Sequence, residues 1–317
     1  ATTITARGKF SWLGTDNHYH KAFGWRVRAW TKRNSSSSWK KRAEDWIQWD
    51  GSWKLQFSRP NGHKVKFQYI ASNRFFKPQN NSGDSYRWVG PEHANIASVH
   101  NEGSWFANTS SGNVRGLGEV YHEGMQLWSK LYWQASINPL RNKQIKIFFP
   151  NLSYDCGSGS GNPWSCASTD GRIWLIPAHA LTQGVTAHEL AHQINYEFWN
   201  NQRPPNSGGS HTLTGCFTKG LALLEGFANF ITVWLYNNRS NSTPSSFGIN
   251  IETLPASVCT NIGRNESYVA ATFWDLHDKH TDNSDNLWFT HPGAVAGIYL
   301  RSRKKNSMQA FRTTYRN

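Results

Sequence analysis

Val185-Thr-Ala-His188-Glu189-Leu-Ala-His192-Gln sets two histidines four residues apart, with a glutamate directly after the first. On an α-helix, residues four apart share one face with Cβ atoms about 6 Å from each other, so both imidazoles can reach one metal ion. Glu189 then points along the same cleft, where a carboxylate can take a proton from metal-activated water and pass it to a leaving amine. No charge intrudes at Leu190 or Ala191, and the flanking residues are small or apolar. The chemistry this pattern offers is metal-assisted hydrolysis, set against a bland alternative of two solvated surface histidines beside a glutamate.

A catalytic zinc needs a third protein ligand and one open position. The extended pattern H-E-x-x-H-x-x-G-x-x-H would place Gly at 195 and His at 198, where Asn195 and Phe198 stand. Aspartate is absent from Gly171 through Trp274, leaving Glu197, Glu225, Glu252 and Glu266 after the motif. Glu197 follows His192 by five residues and is turned about 140° away on the same helix. Glu252 falls in a Ser/Asn/Pro-rich loop. Glu225 sits in Leu221-Ala-Leu-Leu224-Glu225-Gly226-Phe-Ala-Asn229, the most apolar helix-compatible segment of the chain. An unpaired carboxylate buried there would cost several kcal/mol, which makes a cation its expected companion. Glu225 is the preferred third ligand; an ion pair with Arg or Lys, or Glu266 as the ligand instead, stay open. Gly226 would let two helices approach closely.

Elements must hold these residues in place. From Thr2 to about Ser98, segments such as Ile4 to Trp12, Phe23 to Trp30, Ser52 to Phe57 and Val65 to Ile70 alternate apolar and polar residues. Period two between turn-rich segments predicts antiparallel strands packed as a sandwich. Asn101 to Gly112 is rich in Asn, Ser and Gly and reads as a linker. Beyond it the period becomes helical, with an amphipathic helix over Arg115 to Gln134. Strands follow at Gln144–Phe149 and Arg172–Ile176, then helices at Thr182–Trp199, Thr218–Asn237 and Glu266–His277. The expected fold class is α+β, with a β-sandwich accessory domain over 1–110 and the chemistry-bearing domain over 111–317.

The chain has 317 residues, 34 Lys+Arg against 20 Asp+Glu, a net charge of +14, and 17 Trp, 17 Phe and 11 Tyr. That aromatic content excludes a disordered chain. No apolar run is long enough to span a membrane, and the polar start without an initiator Met reads as a mature, processed product. Cys156, Cys166, Cys216 and Cys259 contain no C-x2-C pair, which disfavours a cysteine zinc site. The preferred pairing is Cys156 with Cys166 and Cys216 with Cys259, against four free thiols, and points to an oxidising, extracellular compartment. Basic clusters at Lys32-Arg33, Lys40-Lys41-Arg42 and Arg301-Ser-Arg303-Lys-Lys305 accompany no nucleic-acid motif. They suit an anionic surface or an acidic protein substrate instead. His18 and His20 read as solvated surface histidines, and sequons such as Asn34, Asn108 and Asn241 reflect a chain rich in Asn and Ser.

His188-Glu-Leu-Ala-His192 followed by Glu225-Gly-Phe-Ala resembles the gluzincin metallopeptidases. The resemblance implies a zincin-like domain, one catalytic Zn2+ on His188, His192 and Glu225, and Glu189 as general base. The stretch between the motifs is longer than in thermolysin-like and aminopeptidase-like members and carries Pro204-Pro205, Gly208-Gly209 and Cys216. No G-x-M-E-N exopeptidase motif occurs, Gly124-Met125-Gln126 being no match, which favours cleavage inside chains. Where many gluzincins buttress a zinc-bound histidine with an aspartate, Asn229 stands one turn after Glu225. Gluzincins draw an oxyanion donor from a later Tyr or His, for which Tyr268 is preferred over His277, His280 and His291. The Arg172–Ile176 strand would bind extended substrate by β-augmentation. The arrangement is similar to secreted bacterial metallopeptidase-like proteins. The expectation is a secreted, monomeric zinc endopeptidase acting on protein or peptide. A glycan- or surface-binding protein with a structural zinc, and an exopeptidase, are the alternatives.

Overall fold

In a computed structural model of the chain, the described residues are 1–14, 16–107, 112–138, 144–157, 159–254, 259, 261–279, 289 and 291–302. His280, Asn108 and the basic run at 303–305 lie outside them. Nine strands come first: β1 (Thr2–Leu13), β2 (Tyr19–Lys21), β3 (Arg26–Lys32), β4 (Lys40–Trp46), β5 (Ser52–Arg59), β6 (Lys64–Ile70), β7 (Phe76–Gln79), β8 (Arg87–Val89) and β9 (Val99–Ala107). Helix α1 (Gly112–Gln134) and strands β10 (Ile145–Phe148), β11 (Cys166–Ser168) and β12 (Arg172–Trp174) follow. Next are α2 (Pro177–Ala180), α3 (Val185–Phe198), α4 (Lys219–Tyr236), β13 (Ser245–Ser246), β14 (Ile249–Asn250), α5 (Glu266–Asp275) and α6 (Ala294–Arg301). The class is mixed α+β. No described helix is long and apolar enough to cross a membrane.

The chain forms two compact units, one of residues 1–125 with 146–150 and the other of 126–145 with 151–317. In the first, β1 pairs antiparallel with β2 and β5, while β3 pairs with β4 and β6, and β6 with β8. Strand period two puts Ile4, Ala6, Phe10 and Trp12 of β1 inside, together with Val65, Phe67 and Tyr69 of β6. The two sheets meet through these rings: Phe10 stacks on Tyr69 at 4.1 Å and Trp53 meets Phe67 at 5.1 Å. Two such faces interleaved are the packing of a sandwich.

One expectation needs correction here. Residues 101–107 are no linker: they lie in β9, which runs parallel to β1 from Thr5↔Val99 to Trp12↔Ala107. The sheet is therefore mixed rather than wholly antiparallel. Most of β9 faces outward, so it has no apolar alternation to betray it, and its backbone is held by pairing with β1.

In the second unit, β11 and β12 form an antiparallel hairpin, which already occupies one edge of the strand expected to bind substrate. Disulfides join Cys156 to Cys166 and Cys216 to Cys259, the pairing expected. Helix α4 is buried over almost its whole length, from Gly220 to Trp234, and is capped by Thr218, whose hydroxyl accepts from the Leu221 amide. Asn265 caps α5 in the same way through the Tyr268 amide. Tyr299 of α6 stacks on Phe227 of α4 at 4.0 Å, and Phe273 of α5 closes on the same cluster.

Gly226 is where α4 and α5 touch. A Cβ there would stand 2.5 Å from Val269 Cγ1 and 2.8 Å from the Glu266 carbonyl oxygen. Gly226→Ala must push α5 away and is expected to destabilise the protein by about 1–3 kcal/mol in urea unfolding. A change within about 0.5 kcal/mol, the range of an ordinary surface substitution, would contradict this packing.

Candidate metal centre

Helix α3 begins at Gly184, whose φ of 95° is a left-handed conformation that costs glycine little. Its first turn closes with the His188 amide donating to the Gly184 carbonyl at 2.8 Å. One turn apart, His188 and His192 project the same way, as the 3.6-residue period requires. Gln193 anchors the helix to the β11–β12 hairpin by donating to the Ser168 and Arg172 carbonyls at 2.6 and 3.1 Å. Helix α4 packs on α3 and brings Glu225 to the two rings.

The three ligating atoms form a nearly equilateral triangle. His188 Nε2 and His192 Nε2 each lie 3.1 Å from Glu225 Oε2, and 3.1 Å from one another. No distribution of protons makes all three edges favourable: if both nitrogens donate to the carboxylate, they face each other proton to proton. A single cation satisfies all three at once. The centre of such a triangle is about 1.8 Å from each corner, so an ion slightly off the plane sits at the 2.0–2.1 Å of zinc–nitrogen bonds. All three side chains are buried, and among the described residues no Arg or Lys pairs with Glu225. Burial opposes ionisation of Glu225, yet the His192 and His188 contacts hold its carboxyl well below the usual range. The donor set and its geometry fit a divalent metal ion.

Glu189 is buried beside His188. Burial pushes its carboxyl up to about 7, reinforced by Glu225 and moderated by His188 and His211. Asn229 is buried as well, and neither atom of its side-chain amide has a partner among the described residues; Nδ1 of His188 and of His192 is likewise without one. Tyr268 sits in the first turn of α5, its amide donating to Asn265 and its carbonyl accepting from Thr272. His277 belongs to the core, against Phe230, Trp234 and Trp274, where burial, then Arg239 and Lys130, drive its imidazole down to about 3. His291 accepts from the Gly293 amide at 3.4 Å.

Sequence reasoning missed His211. Its Nε2 lies 3.5 Å from Glu225 Oε2, and its Nδ1 lies 2.9 Å from Glu266 Oε2. Glu266 is fully buried at the start of α5, where a carboxylate also suits the helix dipole. Burial disfavours charge on His211, but the Glu266 hydrogen bond and the carboxylates of Glu225, Glu266 and Glu189 raise it to about 9. The loop carrying His211 is fastened on both sides. A Cβ on Gly220 would come within 2.1 Å of the Pro205 carbonyl, Ser267 donates to Leu213 at 2.6 Å, and Phe217 and Arg264 exchange bonds of 2.8 and 2.7 Å. The Cys216–Cys259 bridge closes the same region.

Residues 138–317, which hold this whole cluster, match the mycolysin C-terminal domain, a metallopeptidase-associated domain. The chain belongs to that family. No curated protein matches the chain. A crystal structure of a 9R-lipoxygenase from Cyanothece is similar over 45% of this chain and 25% of that one, with 9% identity and a TM-score of 0.25. A similarity that low carries no argument about fold or chemistry.

The raised Glu189 carboxyl has a consequence for the metal-free protein. The folded state keeps a proton that the unfolded chain releases between pH 4.5 and about 7. The Glu189 contribution to stability is therefore fully present below that interval and is lost as pH rises through it, by on the order of 3 kcal/mol. Glu189→Gln lacks this term. Urea unfolding of chelated protein at pH 5 and pH 8 should show wild type losing ground to Glu189→Gln; identical pH slopes would contradict the burial of an ionisable Glu189.

Proposed function

We propose that the chain is a secreted zinc-dependent peptidase that cleaves within polypeptides, its second unit serving as a zincin-like catalytic domain. The observation that carries this reading is the triangle of His188, His192 and Glu225 with Glu189 buried directly beside it. Family membership in a metallopeptidase-associated domain and two disulfides suited to an oxidising compartment support it.

His188, His192 and Glu225 would hold the ion. When bound, it supplies a water of lowered pKa and polarises a carbonyl. Glu189 takes the proton from the attacking water on its carboxylate and returns it to the leaving nitrogen. Burial holds the Glu189 carboxyl above its usual range, which favours its taking up that proton. His211, held through Nδ1 by Glu266, donates from Nε2 to the oxygen that gains charge as the scissile carbonyl becomes tetrahedral. His211 is preferred to Tyr268 for this role because its Nε2 lies 3.5 Å from Glu225 Oε2.

A non-catalytic binding protein with a structural zinc is the competing reading. A structural site is closed by four protein ligands, whereas this one offers three with a general base next to them. Cleavage of casein and of N-blocked peptides, abolished by a chelator, is expected. Glu189→Ala should lose at least about 100-fold in kcat while retaining its metal. His211→Phe should lose about 100-fold with KM little changed, and Tyr268→Phe much less. Casein left intact by zinc-loaded wild type would overturn the peptidase reading. Full activity in His211→Phe would remove His211 from the mechanism.

A further inference from the structure

In the first unit, three residues unrelated to the peptidase site, His93, His100 and Glu102, bring one possible ligand atom each within 4.8 Å of one another. His100 and Glu102 are two apart on β9 and therefore share a face. His93 precedes β9 in the connection from β8, but its backbone is fixed by a two-bond bridge to Val65, His93 amide to Val65 carbonyl at 2.8 Å and the reverse at 2.9 Å. Glu102 falls at a register shift in the β1–β9 pairing, beside Gly103 with φ of 80°, and such bulges re-aim a side chain.

Glu102 Oε2 lies 2.8 Å from His93 Nε2 and 2.7 Å from His100 Nε2. The His93 contact is short but misdirected for a hydrogen bond, and its Nε2 is left without a partner. Glu102 Oε1 is buried and unpartnered too, while the Glu102 side chain is only 1% exposed. His100 is hydrogen-bonded to Glu102 Oε2, but His93 at the same oxygen makes no hydrogen bond and Glu102 Oε1 has none, and the three ligand atoms lie within 4.8 Å of one another, a convergence that a shared ion satisfies. The rings are held from behind: Phe67 stacks on His100 at 6.0 Å and His93 meets His100 edge-on at 4.8 Å. The two histidine side chains keep 25% and 19% exposure, which leaves a route in from solvent and room for a water ligand.

We propose that His93, His100 and Glu102 bind a second divalent ion of the zinc class. Two imidazole nitrogens with one carboxylate oxygen suit zinc, copper or nickel over calcium or magnesium, which prefer all-oxygen sets. The ion staples the 90–98 connection to β9. Its role is structural and independent of peptide cleavage.

Equilibrium dialysis of the full chain against Zn2+ alone, with metal analysis, tests this. Wild type should bind two equivalents, His100→Ala one, and His188→Ala/His192→Ala one. Glu102→Gln, which preserves side-chain shape, should also lose one equivalent while its near-UV circular dichroism stays that of wild type. His100→Ala and Glu102→Gln should still cleave peptide. Equal zinc content in wild type, His100→Ala and Glu102→Gln would overturn the proposal. If the catalytic reading fails instead, wild type binds one equivalent that is lost in His100→Ala and kept in His188→Ala/His192→Ala.

Discussion

A carboxylate inside the most apolar helix of the chain has to be compensated, and much of the second unit is arranged around that need. Glu225 is flanked by Leu221, Leu224 and Phe227 in a helix buried from Gly220 to Trp234. Charge there is tolerated only where positive partners meet it at close range. The two α3 imidazoles come within 3.1 Å of it and complete a donor set for one cation, which they can do only because the helices are pressed together. Gly184 starts α3 at the right place, Gln193 ties it to the hairpin, and Gly226 admits α5 close against α4. Each of these residues contributes to where one oxygen atom lies.

The same carboxylate organises the loop between α3 and α4. His211 faces Glu225 through one ring nitrogen and Glu266 through the other, so two buried acids on neighbouring helices orient a single imidazole. Loops tolerate variation in length, but a loop that holds one imidazole between two buried acids needs fixed ends. Here the fixing is distributed among a close contact at Gly220, hydrogen bonds to the start of α5 and the Cys216–Cys259 bridge. The long insertion between the motifs thus has a physical purpose.

The sequence made much of this legible because the relevant signals were local. Four-residue spacing put His188 and His192 on one face, helical period bounded α3, α4 and α5, and the scarcity of acidic residues singled out Glu225. Gly226 beside it was readable as a close approach, and the cysteine pairing followed from spacing. What escaped detection depends on distant partners. Strand β9 has no alternation of its own and is a strand because β1 lies beside it. His211 lies in a polar Gly/Ser loop that resembles any solvated turn, and its neighbours Glu225 and Glu266 are 14 and 55 residues away in sequence. The only available signal was a lone His in an insertion between two ligand helices. His93, His100 and Glu102 show the same limit, since a bridge to Val65 and a bulge opposite β1 create their convergence.

Diffraction from zinc-soaked crystals on both sides of the zinc absorption edge tests the central claim most directly. An anomalous peak about 2.0–2.1 Å from His188 Nε2, His192 Nε2 and Glu225 Oε2 is the expected result. Ordered density without anomalous signal between those three atoms, in crystals that take up zinc elsewhere, would contradict a metal centre on α3 and α4.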